Sequence, residues 1–145
     1  MSGVPPPSSR PSGAYGGGGF YQQPQPNRKL LGIGQIASAT TWTTVYTVPK
    51  GASAEVRFCS CYNTSAVTTQ TVDARVTKTD STGTESRQFA RASVVPAGSV
   101  RFFEGGEVLF LGPQQLLQIY TTTAAVLDYV VSGIEWTIPT GGATA

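Results

Sequence analysis

The chain has 145 residues, a formal net charge of +2, only 12% charged residues, two cysteines and no histidine. Without histidine there is no Ser-His-Asp triad and no Cys-His pair, and two cysteines alone cannot close a four-ligand zinc site. No stretch approaches the roughly 20 continuous apolar residues of a membrane-spanning helix, and the N-terminus lacks the basic start and apolar core of a secretion signal, so cytosolic synthesis and no membrane partner are expected.

Residues 1–31 read as an extended arm. They hold six prolines and six glycines, and so composed they bury too little apolar surface to offset an ordering cost of roughly 1–2 kcal/mol per residue. Pro5, Pro6 and Pro7 favour polyproline II, and Gly16 to Gly19 form a flexible joint. Tyr15, Phe20 and Tyr21 flank that joint and are the best anchors for a pocket on a partner, because aromatic rings bury much area at low entropic cost. The arm also carries Arg10, Arg28 and Lys29 and no acid. Fully extended, it reaches on the order of 100 Å, enough to cross neighbouring subunits of a lattice. Seven basic and eight acidic residues remain for the rest of the chain, a balance that argues against a nucleic-acid-binding face.

From Gly32 almost every segment reads as a strand bounded by turn residues. Gly32 to Ala39 is a weak first strand. Trp42 to Val48 alternates and is turned by Pro49-Lys50-Gly51. Ala54 to Asn63 alternates with Val56, Phe58 and Ser60 on one face and Arg57, Cys59 and Cys61 on the other. The two cysteines, too close in sequence to bridge without strain, read as reduced, buried small hydrophobes. Val67 to Thr79 follows, then an Asp80-Ser81-Thr82-Gly83 hairpin turn, and the return strand Glu85 to Val95. Pro96-Ala97-Gly98 turns again. Ser99 to Glu104, Glu107 to Leu111, Leu116 to Thr122 and Leu127 to Ile138 complete the set. No helical stripe is present. Eight or nine strands with turns every 8–12 residues predict an all-β, antiparallel β-sandwich of jelly-roll type over residues 32–139, with a flexible tail at 140–145.

An internal echo supports two sheets. VPKGASAEVRF (48–58) and VPAGSVRF (95–102) both set a Val-Pro-x-Gly turn before a strand with Val-Arg-Phe. Proline fixes φ and glycine accepts positive φ, so each motif predicts a corner where the chain changes sheets.

Catalytic constellations are absent. Glu104 with Glu107, and Asp128 with Glu135, are the available carboxylate pairs, and each reads as a solvated rim or strand end rather than a cleft. No enzyme activity, cofactor or metal is expected. Arg57, Arg75, Arg87, Arg91 and Arg101 lie on expected strands, either covering a solvated sheet face or pairing with neighbouring subunits. Trp42 and Trp136 are expected in the core; with Tyr129 they could instead form a sugar-stacking platform, which would make the chain a carbohydrate-binding module.

Leu31–Gln35, Thr43–Pro49, Gly51, Val56–Phe58, Asn63–Ser65, Val95–Gly98, Leu116–Thr122 and Leu127–Glu135 together resemble small β-sandwich domains of tailed-bacteriophage virion proteins. The likeness lies in turns and core positions. It implies a structural subunit located in the virion, assembled in the host cytoplasm, and often a homotrimer. Its partners would be the major capsid protein or adjacent virion subunits, in a capsid decoration (cement), head-fibre, vertex, tail or baseplate position.

Overall fold

The chain turns where its prolines and glycines fall. A computed structural model describes residues 25–103 and 109–137. They form nine strands: β1 (Gln25–Gln35), β2 (Thr43–Thr47), β3 (Ala52–Asn63), β4 (Gln70–Asp80), β5 (Gly83–Val95), β6 (Val100–Phe102), β7 (Leu109–Leu111), β8 (Leu116–Thr121) and β9 (Leu127–Thr137). Sheet A has the order β1-β9-β3-β6, with β7 also pairing β3, and sheet B has the order β2-β8-β4-β5. Every pairing is antiparallel. The pairs β4·β5, β3·β6, β2·β8 and β1·β9 nest one inside the next, as in a long hairpin rolled into two sheets. This is an all-β sandwich with a jelly-roll-like arrangement.

Both Val-Pro-x-Gly motifs are corners. Gly51 (φ +79°) turns the chain from β2 in sheet B to β3 in sheet A, and Gly98 (φ +66°) turns it from β5 in sheet B to β6 in sheet A. The hydrogen bonds match: Ala52 N donates to Pro49 O and Ser99 N to Pro96 O, each at 3.1 Å. At the expected hairpin, Asp80 pairs with Gly83 and the Asp80 carboxylate accepts the Thr82 N–H at 2.8 Å.

The core is aliphatic. Ile36, Val48, Val72, Val95, Leu117, Ile119, Leu127 and Val131 are fully buried between the sheets. Two close approaches exclude side chains: a Cβ at Gly32 would lie 2.2 Å from Val45 O, and one at Gly133 would lie 2.0 Å from Glu55 O.

Three expectations are corrected. A bulge in β3 between Val56 and Phe58 reverses the alternation. Val56 therefore shares the core side with Cys59 and Cys61, and Phe58 turns outward. The first strand begins at Gln25 rather than Gly32, because β9 offers an edge that pairs residues 25–30 as well as 32–35. Backbone groups make that pairing, so it does not require the segment to be rich in apolar residues. Trp42 and Trp136 are half-buried rather than in the core.

Candidate functional site

The register of β9 assigns every residue of sheet A to a side. Leu127, Tyr129, Val131, Gly133 and Glu135 face sheet B, opposite Asn63, Cys61, Cys59, Val56 and Ala54 of β3. Asp128, Val130, Ser132, Ile134 and Trp136 face outward. Their cross-strand partners extend that outer face in rows. One row is Gln35, Asp128, Tyr62 and Val100; the next is Ile33, Val130, Ser60 and Phe102. Leu30, Ser132 and Phe58 follow, and then Arg28, Ile134, Glu55 and Phe110.

Exposed apolar side chains gather on this outer face among polar ones. Leu30, Ile33, Tyr62, Val100, Phe102 and Phe110 all lie on it, with Ile33 at 66% and Phe110 at 71% exposure. The Phe58 and Phe102 rings meet edge to face at 5.2 Å. Four strands about 4.8 Å apart and four rows give a face on the order of 400 Å². Its apolar part is smaller, because Gln35, Asp128, Ser60, Ser132, Arg28 and Glu55 share the face. At one end a groove of about 380 Å³ runs over Ser132, Gly133 and Ile134 between Arg28 and Arg57. Arg57 is paired with the buried Glu55 carboxylate at 2.5 Å.

The outer face of sheet B is the opposite. Gln118 donates to Thr44 Oγ1 at 3.0 Å, while its carbonyl oxygen accepts from Thr77 Oγ1 and Arg75 Nε, each at 2.9 Å. Thr77 and Ser86 share a hydrogen bond at 2.9 Å, which completes a ladder across all four strands. The Arg75 guanidinium lies 4.1 Å from the Trp42 ring centroid, and Trp42 leans on Tyr120 at 5.4 Å.

Of the six arm residues singled out from the sequence, Arg10, Tyr15, Phe20 and Tyr21 lie outside the described residues. Arg28 and Lys29 are neighbours on β1 and point to opposite sides. Arg28 borders the outer groove. Lys29 faces inward and donates to Glu135 Oε1 at 2.7 Å, while the Tyr46 hydroxyl donates to Glu135 Oε2 at 2.6 Å. Glu135 is 4% exposed. Burial raises its carboxyl, but the Lys29 and Tyr46 hydrogen bonds and the Lys29 charge outweigh that and hold it below the usual carboxylate range. Burial, and then the hydrogen bond and charge of Glu135, push the Tyr46 phenol up. The triad ties β1 and β9 of sheet A to β2 of sheet B.

The other candidates separate. Asp128 and Glu135 lie on opposite sides of β9, and Asp128 accepts a hydrogen bond from Gln35 at 3.0 Å. Glu104 and Glu107 lie outside the described residues. Trp42 is on the outer face of sheet B, Trp136 on that of sheet A and Tyr129 on the inner side, so the three rings make no common platform. Cys59 and Cys61 are free and buried, and burial raises both thiols, Cys59 to about 12. Among the described residues no group of three His, Cys, Asp or Glu could hold a metal ion.

The outer apolar face escaped sequence reading because its members come from five strands and only the register unites them. The one available signal was the repeated Val-Arg-Phe, whose Phe58 and Phe102 meet on this face.

Fold and site together define an all-β sandwich whose sheet B carries a hydrogen-bonded polar ladder on its outer face and whose sheet A gathers exposed apolar side chains on its own. No protein-family model matches the chain, and no curated protein matches it. Among solved structures it is similar to a chain in the structure of infectious bursal disease virus, Gx strain, with 15% identity and a TM-score of 0.45 over 83% of this chain. The chain spans about a third (34%) of that protein's length.

Proposed function

We propose that this chain is a non-enzymatic structural subunit of a virus particle, a capsid decoration (cement) protein that seats the outer face of sheet A on an adjacent virion subunit. The open apolar face carries this reading. The resemblance of residues 31–138 to bacteriophage virion sandwiches supports it, as does an arm rich in proline, glycine and aromatic residues.

The magnitudes call for more than one contact. Even a wholly apolar face of about 400 Å² would yield at most about 10 kcal/mol on burial, against an association cost of about 4–15 kcal/mol. One face alone is therefore a weak seat. An arm that docks Tyr15, Phe20 and Tyr21 on neighbouring capsid subunits, with Arg10 and Arg28 at acidic positions, adds tethered contacts at high effective concentration. Self-association of the sandwich, as a trimer in the form the resemblance implies, multiplies them again.

Removal of residues 1–24 tests the arm while leaving β1 whole. The truncated chain is expected to melt like the full chain and to be lost from particles on washing. Full retention of the truncated chain on particles overturns the clamp. Copy number separates the addresses: hundreds per particle fit a capsid lattice, whereas a few tens or fewer fit a tail, vertex, baseplate or head fibre.

A further inference from the structure

Sheet B ends in a long edge strand. β5 is 13 residues long and ends the order β2-β8-β4-β5, so among the described strands its only partner is β4. Its second half is unsuited to pairing. The register slips around Phe89 and again at Arg91 and Ala92, and Ala92 has φ +49° with its N–H held by Asp73 at 2.5 Å. The first half is regular: Glu85, Ser86, Arg87 and Gln88 oppose Lys78, Thr77, Val76 and Arg75 one for one. The other edges are short or interrupted. β6 and β7 have three residues each, β2 has five, and β1 contains Pro26 and a bulge at Leu31.

Charge identifies the occupant. Protected edges commonly carry like charges that repel a second copy. Here the order is Thr84, Glu85, Ser86, Arg87, Gln88, which is self-complementary about Ser86. In an antiparallel pair with Ser86 opposite Ser86 of a second copy, each Glu85 opposes an Arg87. Thr84 then opposes Gln88, and the pairing spans the stretch before the register slip at Phe89. The Glu85 and Arg87 side chains are 58% and 81% exposed, and their ion pair within the strand is solvated. Such a pair is worth about 0–1 kcal/mol and is readily exchanged for one between strands. The hydroxyl ladder also continues: Thr77 bonds Ser86, and Thr79 bonds Thr84 at 3.1 Å, up to the open edge.

We infer that two copies of this chain join edge to edge through Thr84–Gln88 of β5, making a continuous eight-stranded sheet centred on Ser86. The contact is isologous, so it links copies in twos and can join neighbouring oligomers whatever their own symmetry. It is independent of the virion reading. Five paired residues bury less than the roughly 800 Å² per partner of a stable complex, so the contact forms at high protein concentration.

Register-specific cross-linking of the full chain tests it. In Ser86→Cys the two engineered thiols lie opposite one another, within the Cα spacing of a disulfide. In Thr84→Cys they are four residues apart along the pair. Mild oxidation of concentrated protein is expected to give disulfide dimer from Ser86→Cys and not from Thr84→Cys; the wild-type chain, whose own cysteines are buried, stays uncrosslinked. Adding Arg87→Glu to Ser86→Cys sets like charges opposite twice and is expected to slow dimer formation on the order of tenfold. Adding Glu85→Arg to that variant restores it. Equal cross-linking at positions 84 and 86 overturns the inference, and so does a charge-swapped chain as slow as the Arg87→Glu one. Thermal melts of each variant separate loss of pairing from loss of fold.

Discussion

The two outer faces of this sandwich come from one roll of chain and differ in what they leave undone. Sheet B spends its polar groups on itself: Thr44, Gln118, Thr77 and Ser86 bond across four strands, and Arg75 closes over Trp42. Sheet A presents Leu30, Ile33, Phe102 and Phe110 to solvent. A sheet that faced water on one side would alternate apolar-in and polar-out. Sheet B follows this rule along its ladder, with Val94 the exposed exception, and sheet A departs from it at more positions. The exposure of its outer face is not a sign of loose packing, and the proposed function uses that face as the seat for an adjacent subunit. On the inner side of the same sheet, Gly133 leaves no room for a methyl group and Glu135 is fully hydrogen-bonded.

The contrast can be broken at several points. The largest effect is expected beneath sheet A. Lys29→Met leaves a buried carboxylate held by Tyr46 alone and is expected to cost roughly 2–3 kcal/mol in thermal or urea unfolding. The same change alters the acid limb. Because Glu135 is held below the ordinary carboxylate range, its contribution is complete above the unfolded value of about 4.3 and disappears as pH falls through the lower folded value. Asp80, lowered by hydrogen bonds from Thr82 and Lys78, acts in the same direction. In an Asp80→Asn background, Lys29→Met is therefore expected to flatten the loss of stability below pH of about 4. An unchanged acid limb contradicts the triad.

Next comes the outer face of sheet B. Gln118→Leu removes the partner of Thr44, Thr77 and Arg75 at once. It is expected to destabilise the chain by about 1–3 kcal/mol, a drop in Tm of about 4–8 °C per kcal/mol for a domain of this size. The smallest effect on folding is expected on the outer face of sheet A. Ile33→Thr combined with Phe110→Ser should move stability by about 0.5 kcal/mol or less, while weakening attachment to the particle. Should the sheet A pair cost as much stability as Gln118→Leu, the distinction between the two faces fails.

Local chemistry made much of the fold legible. Pro49 with Gly51, Pro96 with Gly98, and Asp80 with Gly83 mark their turns because the backbone conformation there is set by the residue itself. The strand count follows from those turns. The bulge at Arg57 was not legible, since the run from Ala54 to Asn63 alternates without a break and only pairing with β9 inserts the extra residue. Residues 25–31 read as arm because their composition is that of a linker, whereas their place in β1 is supplied by the edge of β9. The tryptophans read as core by size, yet Trp42 and Trp136 lie on outer faces, where neighbouring side chains half-cover them. The apolar face itself depends on register between strands distant in sequence, which no local pattern encodes.

Hydroxyl-radical footprinting of the free chain and of the same chain in its particle compares the two faces directly. The account predicts strong protection of Ile33, Tyr62, Phe102 and Phe110 on sheet A in the particle, with Trp42 and Tyr120 on sheet B as reactive as in the free chain. Unchanged reactivity on sheet A, or protection confined to sheet B, would contradict it.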